Sequence, residues 1–200
     1  MKAEQALVKA STELVNGFIQ ITLEVPEAEF AKPGQYVVVE EKPCYLMSAD
    51  ANTVTLIVNK AIMPNVNVGS SVWVSPFHGE ELPPPDNTFC LIEANEEGLN
   101  AVIFYLKKYR RAFQGLILVG AKQFPFKPCP SRLLIPGIPN DVIAAIPLLE
   151  DWQIPHRLAS SNEQPGCFHG TTEELASLWL NQTKIVKPSK KLYITPLRNN

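Results

Sequence analysis

The sequence predicts a two-domain α+β protein, with an N-terminal antiparallel β-barrel over residues 1–86 and a small α/β parallel-sheet domain over residues 87–200. Three observations predict it. Up to about Pro85, short apolar runs alternate with polar residues and are separated by turn residues, the pattern of five or six antiparallel strands. From Thr88 onward, strand-like runs alternate with helical ones, the order of a parallel sheet. Where the two patterns meet, Thr88 to Lys108 reads TFCLIEANEEGLNAVIFYLKK: a strand, a short polar loop and an amphipathic helix.

Taken in order, Phe18 to Val25 (FIQITLEV) alternates as a half-buried strand does, and Asn16-Gly17 before it suits a hairpin turn. QYVVVEE, YLMSA, TVTLIVNK and VWVSP continue the barrel. In the second half FCLIEA is a strand, Leu99 to Arg111 a helix and GLILVGA a strand. Asn140 is placed to cap a helix through DVIAAIPLLEDW that Pro147 must kink or break, since proline lacks an N–H and clashes with the preceding turn. HRLASS reads as a strand, TTEELASLWLNQ as a helix capped by Thr171 or Thr172, and KLYITP as the last strand.

Composition narrows the function classes. The chain is 46% apolar and 19% charged, which is globular, and its net charge of −2 provides no field to recruit nucleic acid or a membrane surface. No apolar run has the length of a signal core or a bilayer span. Cys44, Cys90, Cys129 and Cys167 are scattered without a CxxC, so neither a zinc site nor a disulfide framework is expected; reduced thiols suit a cytoplasmic protein.

A strand–loop–helix frame commonly seats a phosphate on the helix N-terminus. Here the loop carries Glu96 and Glu97 and one glycine, Gly98, and carboxylates repel a phosphate. At the start of a helix the same carboxylates stabilise its positive end, by about 0.3–1 kcal/mol each. His78, His156 and His169 read as surface histidines. Pro165-Gly-Cys-Phe-His-Gly170 reads as a tight turn exposing Cys167 rather than a Cys–His nucleophile, which needs a third orienting group. Phe124 to Arg132 (FPFKPCPSR) is either a recognition loop for an anionic or peptidic partner, a protein among them, or a proline-stiffened cover of the sheet edge.

Several stretches, in this order, resemble the ferredoxin–NADP reductase superfamily of flavin and NAD(P)H oxidoreductases. FAKPGQYV at Phe30–Val37 resembles the family's "F-x-P-G-Q-Y-V"; VWVSPFHGEEL resembles the end of its barrel; ANEEGLNA lies where it has a glycine-rich loop, with Gly98 on a family glycine; VGAK at 119–122 is similar to "Y-G-A-R", with Gly120 on its glycine. The resemblance implies a flavin-binding-type barrel and an NAD(P)-binding-type domain that is truncated at its C-terminus. In the family an "R-x-Y-S" run binds FAD or FMN: the Arg meets a phosphate, the Tyr stacks on the ring and the Ser reaches its reactive edge. The matching stretch is Lys42 to Ser48. Ungapped, Lys42 takes the Arg place, Cys44 the Tyr place and Tyr45 the Ser place; slid by one, Tyr45 becomes the stacking aromatic and Pro43 replaces the Arg. A lysine is a point charge and does not reproduce a bidentate guanidinium. The family's phosphate-binding turn and short helix have no room between Lys60 and Gly69, and Thr195 stands where it has a Cys.

The cofactor-binding candidates are therefore Lys42, Cys44, Tyr45, Ser48, Gly98 and Gly120, with FAD or FMN as the implied cofactor and NAD(P)H doubtful. No catalytic residue and no metal ligand is assigned. Three functions follow: a flavin reductase with unorthodox contacts, a catalytically inactive reductase-fold protein that binds or regulates, and an electron-transfer subunit borrowing redox chemistry from a partner. The absence of a cluster-ligand pattern weighs against the third.

Overall fold

A computed structural model describes residues 3–63, 66–182 and 188–197. The chain forms two compact units. One comprises residues 1–83, 97–108 and 196–200; the other comprises 84–96 and 109–195.

The first unit is built on β1 (Glu4–Glu13), β2 (Phe18–Glu24), β3 (Tyr36–Val39), β4 (Lys42–Tyr45), β5 (Ser48–Asp50), β6 (Thr53–Asn59) and β7 (Ser71–Val74). They form one antiparallel sheet in the order β4-β3-β7-β1-β2-β6-β5. Asn16 and Gly17 turn the β1–β2 hairpin with φ of 57° and 75°, the left-handed backbone that asparagine and glycine tolerate. β1 pairs with β7 through Glu4–Leu7 and with β2 through Val8–Glu13, and an irregularity between Val8 and Ala10 bends it from one ladder to the other. Alternation then sorts the residues: Ile19, Ile21 and Leu23, with Val54, Leu56 and Val58, fill the interior. Between Lys60 and Gly69 the described residues form turns and no helix.

To this unit belongs most of the helix α1 (Gly98–Tyr109). Phe104 packs into the barrel's core, and Asn100, 3% exposed, meets β6 as a neighbouring strand would. Its Oδ1 accepts from the Ile57 N–H at 3.0 Å and its Nδ2 donates to the Ile57 carbonyl at 2.8 Å.

The second unit carries β8 (Cys90–Asn95), β9 (Gly115–Gly120), β12 (His156–Ser160), β13 (Phe168–His169) and β14 (Lys190–Ile194) in a parallel sheet ordered β13-β12-β9-β8-β14. A two-stranded ribbon, β10 (Cys129–Pro130) with β11 (Ala144–Ala145), stands apart. α3 (Thr172–Gln182) is capped by Thr171: its Oγ1 accepts from the Glu174 N–H, and Glu174 Oε2 accepts from the Thr171 N–H, a capping box.

The helix expected from Asn140 is not there. Residues 141–143 are turn and loop, Ala144–Ala145 is a strand, and α2 (Pro147–Asp151) begins at the proline itself. Proline is favoured at a first helical position, where no N–H is needed, so Pro147 starts a helix rather than kinking one.

Candidate functional site

On β4 the alternation of the strand separates the two candidate ring-binding residues. Cys44 lies in the barrel core, and burial, reinforced by the Glu97 carboxylate, pushes its thiol up to about 12. Tyr45 is half-buried on the opposite face, directly across the ladder from Tyr36. The rings of Tyr45 and Tyr36 meet edge to face at 6.3 Å, and Tyr36 stacks on the exposed His78 at 5.5 Å. Three aromatic rings thus line one surface of the barrel.

Glu97 immediately precedes α1. Its charge acts on both Cys44 and Tyr45; burial first, then Glu97 and Tyr36, raise the Tyr45 phenol above its usual range. Glu97 Oε2 also accepts from the backbone N–H of Leu197 at 3.2 Å. Gly98, the first residue of α1, is buried beside it in sequence. The charge of Glu97, at the head of α1, is thus felt at both Cys44 in the core and Tyr45 on the other face of β4.

The other candidates stand elsewhere. Lys42 is exposed at the far end of β4, about 10 Å from Tyr45 at 3.3 Å per residue. Ser48 is buried at the start of β5, opposite Thr55. Gly120 ends β9 in the second unit, where an added Cβ would sit 3.0 Å from Thr172 Cγ2; the missing side chain lets the start of α3 approach the strand.

A flavin needs an anion site for its phosphate and a flat face for its ring. Tyr45 offers the face. For the anion there is an isolated lysine, no helix among the described residues of 60–69, and a glutamate beside Tyr45. Like charges repel, so a phosphate is disfavoured next to that glutamate.

In the second unit the polar residues are engaged internally. Arg157, 4% exposed, donates to three carbonyls: Nε to Val142 at 2.7 Å, Nη1 to His156 at 2.7 Å and Nη2 to Leu133 at 2.5 Å. His156 is fully buried rather than on the surface as expected. Its Nε2 accepts from the Ile146 N–H and its Nδ1 faces the Ile154 carbonyl, so it is neutral, and burial holds it below its usual range. Burial opposes ionisation of Glu150, but the Arg132 N–H and the Ser131 hydroxyl donate to it and leave the carboxyl below its ordinary value. These bonds pin the segment after the proline-rich loop. Within that loop Phe124 is buried against Phe126, while Lys127, Arg132 and, beyond it, Leu134 are exposed. His78 and His169 are exposed as expected. Cys167 is half-buried after a turn at Pro165-Gly166, and Phe168–His169 adds a short strand that the sequence did not suggest.

Sequence reasoning missed Asn100, Glu93 and the group formed by Glu150, His156 and Arg157. Asn100 had a signal: it lies four residues before Phe104, on the apolar stripe of its helix. Glu93 interrupts the apolar run of β8 and is 5% exposed, and among the described residues its Oε2 has no hydrogen-bond partner. Burial and Glu173 raise its carboxyl above the usual range, against Lys191 and the Tyr193 hydroxyl beside it.

An antiparallel barrel followed by a parallel sheet with crossover helices defines a class of two-domain reductase folds, and structural comparison bears this out. The chain is similar to the flavohaem-like FAD/NAD-binding domain of nitric oxide dioxygenase from Vibrio cholerae, with a TM-score of 0.64 and 11% identity over 96% of this chain and 98% of that one. It is similar to a ferredoxin NADP+ reductase from Neisseria gonorrhoeae solved with FAD and NADP, with a TM-score of 0.63 and 11% identity over 96% and 84%. An NADH-dependent reduced ferredoxin-NADP oxidoreductase matches at 0.60 and 11% identity over 87% of this chain. The chain spans 63% of that last protein and 45% of a cytochrome P450 reductase from Amycolatopsis. No family model and no curated protein matches the sequence. The chain has the ferredoxin–NADP reductase-like fold. Among the described residues, no helix is long and apolar enough to cross a membrane, and no group of three or more His, Cys, Asp or Glu is placed to hold a metal.

Proposed function

We propose that the chain is a ferredoxin reductase-like oxidoreductase by ancestry, with flavin and NAD(P)H contacts eroded, and that it now acts as a catalytically inactive binding or regulatory module in the cytoplasm. The observation that carries this reading is the carboxylate of Glu97, whose charge acts on both Cys44 and Tyr45 in the stretch that resembles the family's flavin-binding run. Lys42, Cys44, Tyr45, Ser48, Gly98 and Gly120 are, on this reading, inherited positions whose chemistry has drifted. A protein partner would meet the exposed Lys127 and Arg132 of the 124–132 loop.

A second reading rests on the aromatic surface: Tyr45, backed by Tyr36 and His78, is a stacking platform for FAD or FMN in a working NAD(P)H-dependent reductase. An absorbance spectrum of the purified protein with and without added FAD or FMN, followed by thermal melting, separates the two. The inactive module is colourless, its Tm is unmoved by flavin or nicotinamide, and it oxidises no NADH or NADPH. Bound-flavin absorption that disappears in Tyr45→Ala would overturn it.

A further inference from the structure

Away from that surface, the first unit has a cleft of about 400 Å³ where the start of β1, the end of β2 and the end of β7 converge. Its volume lies within the ~300–1,000 Å³ of small-molecule sites. Val25, Phe30 and Phe77 give it an apolar lining, and Phe30 is 65% exposed, an unusual state for a phenylalanine in a chain with so much core. Around this lining stand three carboxylates, Glu4, Glu24 and Glu27. Glu24 is partly neutralised by Lys9 at 3.3 Å. Among the described residues, Glu4 and Glu27 have no cationic partner. The cleft thus pairs an aromatic, apolar floor with a rim on which, among the described residues, only Glu24 meets a cation.

We propose that this cleft binds a small organic cation, an amine or guanidinium carried on an aromatic or aliphatic body. The body would cover Phe30 and Phe77, and the positive head would reach the Glu4 and Glu27 carboxylates, with the aromatic faces adding cation–π attraction. A neutral ligand of the same shape leaves the rim unmatched, and an anion is repelled by it.

The test uses the full chain and three probes: 2-phenylethylammonium, benzyltrimethylammonium and agmatine, with 2-phenylethanol as the neutral control. Backbone amide shifts are followed by NMR. The expected result is a saturable shift at Val25, Glu27, Phe30 and Phe77 with at least one cation. Binding weakens about two- to fivefold for each carboxylate removed in Glu4→Gln and Glu27→Gln, whose Tm is unchanged. It weakens again near 0.5 M salt, where the screening length falls to roughly 4 Å. Absence of saturable shifts at those residues with all three cations, or equal binding of the alcohol, would overturn the proposal. None of these residues belongs to the Tyr45 surface, so the outcome is independent of the flavin result.

Discussion

The two units use their polar residues in opposite ways. In the C-terminal unit Arg157, His156 and Glu150 are buried and turned inward, and their bonds go to carbonyls, backbone N–H groups and a hydroxyl of the same unit. In the N-terminal unit His78, Glu4 and Glu27 stand at the surface around aromatic residues. A buried charge satisfied by backbone organises loops and has nothing left for a ligand; an exposed one beside an apolar surface does. The difference directs the search for small-molecule binding toward the first unit and assigns the second unit's buried charges to architecture.

The largest expected effect tests that assignment. Arg157→Ala leaves the carbonyls of Leu133, Val142 and His156 without their shared donor, and at about 1–3 kcal/mol for each buried acceptor left unmade the expected loss is at least about 3 kcal/mol. Denaturant unfolding reads it directly. A loss below about 1 kcal/mol would mean that the segment from Leu133 to Val142 is held by something else. Next is Asn100→Ala, which strands both backbone groups of Ile57 and should cost about 2 kcal/mol. Asn100→Asp sets a buried carboxylate against the Ile57 carbonyl and should cost more than the alanine at neutral pH, recovering as the acid is protonated.

The smallest effect concerns the exception in the second unit, Glu93. Its folded-state carboxyl is raised above the ordinary 4.5, so the folded protein holds a proton that the unfolded chain releases. Its contribution to stability is complete below about pH 4.5 and is lost as pH rises through the raised value. Glu93→Met removes the unpartnered oxygen and should stabilise the protein by about 1 kcal/mol at pH 8, with the gain shrinking toward pH 4. A gain that does not vary with pH would refute the assignment.

Much of the fold was legible because alternation and turn chemistry are local. FIQITLEV, Asn16-Gly17 and the Thr171 cap each carry their structure within a few residues. The failures were tertiary. DVIAAIPLLEDW has helical periodicity, yet Ala144–Ala145 pairs with Cys129–Pro130, a partner that periodicity cannot reveal. His156 looked like a surface histidine because its ring is held by the N–H of Ile146, ten residues away, as well as by the nearby Ile154 carbonyl. At the candidate site, the choice between Cys44 and Tyr45 as the aromatic-facing residue stayed open in sequence, since two alignments differ by one residue. A strand reverses its faces at every residue, so only the register with Tyr36 shows which of the two points inward.

The Asn100 amide has a consequence for anyone cutting this protein into pieces. It occupies the free hydrogen-bonding side of Ile57, where β5 no longer reaches, and so acts as a lid on an open strand margin. A fragment ending at residue 86 loses that lid along with Phe104, and bare strand margins pair readily with their like. Such a fragment would expose a ready template for intermolecular sheet growth; one extended through Lys108 covers Ile57 again but bares both margins of β8, whose partners β9 and β14 lie beyond it.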